Sequence, residues 1–166
     1  IDVAMAILAG GKATRLYQSL VVDKKLASDV SASQDSNQLS SFATIGATAA
    51  TGKPVAELEA ALSAALSELE KSGPTPVELE RAKRSILVST LKSLELLNGP
   101  GGESGRAGLL QRFNHYTGDP GYLPKWVEQV EKVSAADVKR VLHEHLGSDK
   151  RVAVVTQPKA QPEKKK

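Results

Sequence analysis

The clearest structural signal lies at residues 73–83, GPTPVELERAK, where one helical pattern stops and another starts. Thr75 suits an N-cap, Pro76 suits the first helical position, and Glu78 stands at the third. In such a capping box the hydroxyl accepts from the amide of the third helical residue, whose carboxylate accepts from the amide of the cap. The stretch therefore predicts a helix that begins at Pro76, after a chain reversal at Gly73.

Amphipathic helical patterns extend on both sides of this stretch. Before it, after Pro54, apolar residues recur at three- and four-residue steps. They are Val55, Leu58, Ala61, Leu62, Ala65, Leu66 and Leu69. After it, similar spacing continues until Asn98-Gly99-Pro100. The residues there are Leu79, Ala82, Ile86, Thr90 and Leu94. We expect one helix on each side.

The N-terminal part of the chain predicts two helices followed by two strands. An apolar run from Val3 to Ala9 stops at Gly10-Gly11, where a chain reversal costs least, and a second helical pattern covers residues 14–22. Two β-like runs then flank a polar turn at residues 34–38. They contain Val30 and Ala32 before the turn, and Leu39, Phe42, Thr44, Ile45 and Ala47 after it. Antiparallel strands joined by this turn are the simplest interpretation.

Further helices are predicted in the C-terminal part. The glycine-rich stretch 102–105 predicts a loop, and apolar residues at helical spacing then predict a helix up to Tyr116. Turn residues at 117–120 separate it from two shorter helical patterns. The second of these starts after a cap at Ser134 and stops at Gly147.

The chain closes with a strand pattern and a polar tail. Residues 151–156, RVAVVT, predict a strand buried on both faces or nearly so. Residues 158–166 lack core-forming side chains, and we expect a flexible tail or an interdomain linker. The length suits a single domain at residues 1–157. The predicted fold class is α+β, with a small, mainly antiparallel sheet of about three or more strands and several helices on one face.

Composition narrows the function classes. Apolar residues form 40% of the chain and aromatic residues 4%, so the core should be aliphatic. The net charge is +3, and the sequence contains no basic stripe with interleaved aromatic residues of the kind that binds nucleic acid. The absence of cysteine excludes disulfides and thiolate zinc sites and suits cytosol and periplasm equally. No apolar stretch has the length of a membrane span, and a start at Ile1 without a signal peptide indicates a cut-down or processed product.

Three histidines are the candidate imidazole ligands for zinc, and their spacing is unsuitable. They are His115, His143 and His145. On a helix, His143 and His145 point about 200° apart, whereas a helical zinc pair occupies positions i and i+4. Neither H-x-x-E-H nor H-E-x-x-H occurs in the sequence. We therefore expect surface histidines, no metal site and no catalytic residue in this chain.

Two motifs resemble nucleotide-binding or nucleophile loops but fail in detail. The run 10–14, GGKAT, is not a Walker loop, because Ala6 stands where the first glycine belongs and Ala13 where the hydroxyl belongs. Ser104 misses the nucleophile-elbow pattern by one residue and follows no strand. A structural turn and a loop are the predicted roles.

Three stretches in this order resemble the insulinase/pitrilysin family of zinc metallopeptidases, also called inverzincins. They are residues 8–20, LAGGKATRLYQSL; residues 73–83, quoted above; and residues 133–138, VSAADV, before the terminal strand. In that family a glycine-rich turn precedes a Ser-Arg-Leu-Tyr helix, and a Thr-x-x-Glu-Leu-x-x-Ala-Lys helix follows. The likeness covers nearly the whole chain, from about Ile1 to Pro158.

The resemblance implies the later half of one α/β repeat, without the zinc ligands and the catalytic glutamate, which lie early in the first unit of family members. In the second repeat of active members an Arg and a Tyr contact substrate, and Val21 and Ser28 stand at the matching positions here. Neither can replace a guanidinium or a phenol. This leaves the later half of a first, zinc-type repeat, or a second repeat that has lost the pair. The stretch 99–120 resembles bacterial zinc-type repeats and favours the first alternative.

The resemblance also implies a function. The parent protein would be a zinc-dependent metalloendopeptidase for peptides or unstructured polypeptides, with this chain as a non-catalytic wall of its substrate chamber. Zinc would be bound by residues outside this chain. The alternative is a degenerate repeat that serves as an assembly module for an active partner subunit.

Partners, location and one candidate site follow from the same resemblance. The partners would be the zinc-binding half and the other repeat of the protease, or a partner subunit, and the peptide substrate. The bacterial periplasm or cell envelope is the favoured location. Gly10, Gly11 and Arg15 align with a glycine-rich loop that some relatives use in substrate recognition, and they are predicted to contact substrate.

Overall fold

A computed structural model describes residues 1–99 and 105–157. Its elements are α1 Asp2–Ala9, a π-helix Tyr17–Asp23, β1 Ala27–Asp35, β2 Phe42–Ala49, α2 Val55–Ser72, α3 Pro76–Ser93, α4 Gly105–Thr117, α5 Leu123–Lys132, α6 Ala135–Leu146 and a 3₁₀ turn Ser148–Lys150. None of these described helices is both long and apolar enough to cross a membrane. The predicted α+β class is confirmed. The predicted loop at Ser104 and the predicted tail at 158–166 lie outside the described residues.

β1 and β2 pair in antiparallel fashion, with Val30 opposite Ala47 and Ala32 opposite Ile45. This confirms the predicted pair of strands, although the turn lies at residues 36–41. Leu39 was predicted in the second strand and is instead in this turn, 98% exposed. Its neighbours are polar, so no alternation of apolar and polar residues reaches back from β2 to include it.

The core is aliphatic, as the composition predicts. Leu8, Leu16, Leu20 and Leu69 are all 0% exposed, and each such burial contributes about 1.5–3 kcal/mol. α1 lies among the other elements and contacts α3, α6 and β1. The predicted helix at 14–22 is present, in π-helical form from Tyr17 onward.

The helix pair α2 and α3 forms as predicted, except that α3 ends at Ser93, before Leu94 and before the predicted stop at Asn98-Gly99-Pro100. Gly73 follows α2 with φ of 73°, a conformation that glycine adopts without strain. Thr75 Oγ1 accepts from the Glu78 amide at 3.3 Å, and Glu78 Oε2 accepts from the Thr75 amide at 2.7 Å. Ser134 and Asp137 form the same capping box at the start of α6. Both helices therefore begin where their cap sequences predict.

The prediction of a third strand at residues 151–156 is wrong. In the described part of the chain the sheet contains β1 and β2 alone. Arg151 has extended backbone angles, φ −115° and ψ 141°, but its segment forms no ladder there. Val152 and Val154 are 91% and 83% exposed, so the expected burial is also wrong. A β-branched run becomes a strand only where neighbouring backbone exchanges hydrogen bonds with it, and among the described residues β2 pairs with β1 alone.

Candidate functional site

The turn predicted to contact substrate connects α1 to the π-helix. The Gly10 amide donates to Ala6 O at 3.0 Å, and a Cβ at Gly10 would stand 2.5 Å from that oxygen. Gly11 has φ of 148°, which L side chains rarely adopt. The buried Thr14 hydroxyl donates to Gly11 O at 2.6 Å. Both glycines are exposed, and the geometry of the turn itself requires them.

Arg15 follows this turn and binds the start of α3. Its Nε donates to Glu78 Oε1 at 2.6 Å, and its Nη2 donates to Glu78 Oε2 at 2.9 Å and to Gly73 O at 3.0 Å. Paired bonds of this kind hold a carboxylate firmly and fix its orientation. Glu78 Oε2 also accepts from the Thr75 amide and hydroxyl. One carboxylate thus joins the glycine turn to the helix cap, and we call Arg15, Glu78 and Thr75 the turn–cap cluster.

Charge strengthens the turn–cap cluster. The side chains of Arg15 and Glu78 are 20% and 21% exposed. The hydrogen bond from Arg15 lowers the pKa of Glu78 to about 2; burial opposes this shift, and the bonds from Thr75 add to it. The hydrogen bond to Glu78 raises the pKa of Arg15, again against burial. Both groups are therefore ionised at neutral pH.

The structure brings Gly10, Gly11 and Arg15 together, but the Arg15 guanidinium is already engaged. Its third nitrogen, Nη1, lies 3.4 Å from Ser72 Oγ. Arg15 therefore has a structural role at this position, and substrate contact by the three residues stays a prediction. Sequence reasoning missed Glu78 as its partner, because 63 positions separate the two residues. Arg15 and Glu78 lie in two of the stretches that carry the family resemblance, residues 8–20 and 73–83. That shared resemblance is the signal that could have predicted their contact.

A second candidate surface is the face of the sheet that none of the described helices covers. The exposed side chains on it are Asp29, Ser31, Ser33 and Asp35 of β1, and Phe42, Thr44 and Thr48 of β2. Ser33 lies opposite Thr44 in the register, while the intervening Ala32 and Ile45 pack against the helices and core. This open face therefore presents hydroxyls and carboxylates that can hydrogen-bond an extended peptide, with the exposed ring of Phe42 beside Asp35 at its end.

The histidines lie on exposed helical positions, as predicted. His143 Nδ1 is 2.9 Å from Glu70 Oε1, which joins α6 to α2. His115 lies edge-on to Tyr116, and His145 is exposed on α6. Within residues 1–99 and 105–157 no three His, Asp or Glu side chains converge in a way that could hold a metal ion. The donor set in these ranges therefore does not fit zinc.

The first half of the chain carries the family assignment. Residues 1–86 match the model of the peptidase M16 inactive domain. The chain belongs to this family. The matched range contains the glycine turn, both strands and the whole turn–cap cluster of this M16 domain. The resemblance to the insulinase/pitrilysin family is thereby confirmed.

Solved structures resemble the M16 domain over most of its length. The inactive peptidase domain of an inferred zinc protease from Bordetella parapertussis shares 25% identity with a TM-score of 0.76, over 98% of this chain and 84% of that chain. An inferred zinc protease from Bordetella pertussis Tohama I shares 25% identity with a TM-score of 0.72, over 93% and 83%. A protease from Helicobacter pylori shares 25% identity with a TM-score of 0.73 over 90% of this chain, which spans 34% of that protein. No curated protein sequence matches significantly.

Proposed function

We propose that this M16 inactive domain forms a wall of the substrate chamber in a zinc-dependent metalloendopeptidase that cleaves peptides or unstructured polypeptides. The observation that carries the proposal is the two-sided sheet, with helices packed on one face and, apart from Phe42 at its end, small polar side chains on the other. A face of this kind can hold extended backbone by hydrogen bonds without selecting bulky side chains. Membership of the inactive-domain family and the likeness to inferred zinc proteases support the role.

Zinc and the carboxylate that activates water come, in this proposal, from residues outside the chain. Bound zinc in a peptidase polarises the scissile carbonyl and lowers the pKa of its water. The M16 domain would contribute position and hydrogen bonds for the peptide. Gly10 and Gly11 would contact peptide with their exposed backbone, while Arg15 holds the turn in place through Glu78.

The test uses the protease reassembled from this chain and the zinc-binding remainder of its parent. Ser33→Trp places a large side chain on the open face, and Ser85→Trp places the same side chain on an exposed site of α3. We expect Ser33→Trp to raise KM for an unstructured peptide at least about tenfold, because it displaces the peptide backbone. Zinc content should not change. Equal KM values for the two variants would contradict the chamber role.

A second candidate function, an assembly module for an active partner subunit, is favoured by exposed apolar side chains on α3, on the turn that follows it and on α4. Leu91, Leu97 and Leu110 are 59%, 63% and 52% exposed. The Arg106 amide donates to Leu96 O at 3.0 Å, which brings the start of α4 to the turn that follows α3. Grouped apolar exposure is typical of protein interfaces. This function would be favoured if Leu91→Arg no longer co-purified with the partner subunit while Ser33→Trp left the KM for peptide unchanged.

A further inference from the structure

Exposed apolar and cationic side chains run together along α3, through the turn that follows it and onto α4. On α3 they recur at steps of three, four and seven residues, so they share the face of the helix that points away from the core. The members are Val77, Arg84, Val88, Leu91 and Lys92 of α3, Leu96 and Leu97 of the turn, and Arg106 and Leu110 of α4. We call this set the basic apolar band.

The charge of the band is positive. Its three cations form no ion pair within residues 1–99 and 105–157. Glu95, in the turn, is the carboxylate that lies among them in the sequence. Glu80, at the rim of the same face of α3, is already paired with Lys83 at 3.7 Å. Exposed cations without ion partners attract anions, so the band is suited to an anionic partner.

The turn of the band presents two adjacent leucines whose backbone is already hydrogen-bonded. Leu96 and Leu97 are 53% and 63% exposed. Leu96 O accepts from the Arg106 amide and Leu97 O accepts from the Ala107 amide, each at 3.0 Å. The Leu96 amide donates to Ser93 O at 3.4 Å. Unpaired backbone groups oppose entry into hydrocarbon, and these three groups have partners, so the leucines can enter an apolar phase with little backbone penalty.

We propose that the basic apolar band docks this M16 domain on an anionic lipid surface. Leu96 and Leu97 would insert at the boundary between headgroups and acyl chains, with the cations at the level of the lipid phosphates. Each lysine or arginine near an anionic leaflet strengthens attachment about fivefold, and inserted apolar side chains add to this. The attachment would be peripheral. The inference goes beyond the chamber role and does not rest on it.

A lipid surface suits the band better than a protein partner. Apolar and cationic side chains alternate along it, as in Arg84, Val88, Leu91 and Lys92. A protein would need carboxylates and apolar side chains at matching fixed positions, because a cation buried without a partner opposes binding. A bilayer presents anionic headgroups above apolar chains at every point, and long cationic side chains reach the headgroups while their stems stay in apolar contact. The partner subunit of the second candidate function is the alternative that the experiment separates.

The first measurement is flotation of the complete chain with lipid vesicles. Vesicles of phosphatidylglycerol and phosphatidylcholine carry negative charge, and vesicles of phosphatidylcholine alone are the neutral control. We expect binding to the charged vesicles to be at least about tenfold tighter. Added salt should weaken it, because salt screens exposed charges. The preference should persist after the chain is reassembled with the remainder of its parent protease.

Substitution of the leucines tests insertion. The double variant Leu96→Ser/Leu97→Ser should bind charged vesicles at least about tenfold more weakly. Leu39→Ser, which changes an equally apolar and exposed side chain outside the band, should not alter binding. Because the chain contains no cysteine, Leu97→Cys and the control Leu39→Cys each accept a single environment-sensitive fluorophore. Charged vesicles should shift the emission of the label at position 97 to shorter wavelength and leave the label at position 39 unchanged.

Substitution of charges tests the electrostatic part in both directions. Lys92→Gln should weaken binding to charged vesicles about fivefold. Lys71→Gln, at an exposed position of α2 outside the band, should not change it. Glu95→Gln should strengthen binding, because it removes a carboxylate that repels the lipid phosphates. All three side chains are exposed, so the thermal midpoint of each variant should match that of the unmodified chain.

Equal binding to charged and neutral vesicles, or equal losses in the leucine variant and in Leu39→Ser, would overturn the inference. Charged-vesicle binding by the free chain that disappears on reassembly would show that protein covers the band, and would assign the band to the partner subunit instead. That result also contradicts the inference. Failure of vesicle binding would leave the chamber role standing, because that role is tested by the KM for a peptide in solution.

Discussion

The side of the molecule next to β1 is closed, whereas the side next to β2 is open. On the closed side, α1 and the π-helix pack against β1, and the turn–cap cluster joins the glycine turn to α3. On the open side, β2 and residues 151–157 line a groove with both apolar and polar side chains, and no ladder joins them in the described chain. The closed side of this M16 domain therefore stabilises the isolated chain. The open side has backbone and side chains without neighbours in the described chain, and these are available for association.

The largest effect should come from the core of the closed side. Leu16→Ala removes a side chain that is 0% exposed and should lower the free energy of unfolding by about 2–5 kcal/mol, because a cavity remains. Urea denaturation gives the value. Leu39→Ala, at a position 98% exposed, should change it by less than about 0.5 kcal/mol. Similar losses in both variants would contradict a stabilising closed side.

The turn–cap cluster should have the next largest effect. Arg15→Ala removes both bonds to Glu78 and should lower the free energy of unfolding by about 1–3 kcal/mol. Arg15→Lys keeps the charge but loses the two-point geometry, so it should recover only part of this loss. If Arg15→Ala left stability unchanged and raised the KM of the reassembled protease instead, Arg15 would be a substrate contact, as the family resemblance implies.

The same cluster predicts a pH dependence. Because the pKa of Glu78 is lowered from 4.5 to about 2 in the folded chain, the unfolded chain takes up this proton first as pH falls. The stabilisation by Glu78 is therefore complete above about pH 4.5 and is lost between pH 4.5 and about 2. In thermal melts across this range, Glu78→Gln should show a shallower fall than the unmodified chain. The pKa of Asp137 is also lowered, by its hydrogen bond with Ser134. Asp137→Asn should nevertheless keep the loss of thermal stability between pH 4.5 and about 2 that comes from Glu78.

The smallest effect should come from the open side. Val152→Ser, at a position 91% exposed, should change the free energy of unfolding of the isolated chain by less than about 0.5 kcal/mol. In complex with the remainder of the protease the same variant should be measurably less stable than the unmodified complex. If Val152→Ser changed the free energy of unfolding equally in the isolated chain and in the complex, the distinction between a closed and an open side would be contradicted.

Local signals predicted most of the fold, because they depend on neighbours in sequence. Thr75 and Ser134 start their helices through side-chain bonds to residues three positions later. Two antiparallel strands followed from two β-like runs and a polar turn. Leu39 was misplaced because it was joined to β2 as an apolar residue, although the polar residues between it and Phe42 break the alternation of the strand.

Tertiary partners could not be predicted in the same way. The strand pattern at 151–156 reflects β-propensity, but a strand also needs a backbone neighbour, and the described chain does not supply one. The resemblance to a recognition loop gave Arg15 no partner within the chain, and only folding brings Glu78 Oε1 to 2.6 Å from its Nε. Substrate contact, the choice between first and second repeat, and the domain limit at 157 stay predictions.

The most direct test of a non-catalytic M16 domain is hydrolysis of an unstructured fluorogenic peptide by the purified chain alone, with added zinc and with a chelator. We predict no hydrolysis above the buffer rate in either condition, because the described histidines and carboxylates do not converge on a metal position. Addition of the zinc-binding remainder of the protease should produce hydrolysis that the chelator abolishes. Chelator-sensitive hydrolysis by this chain alone would contradict the non-catalytic role.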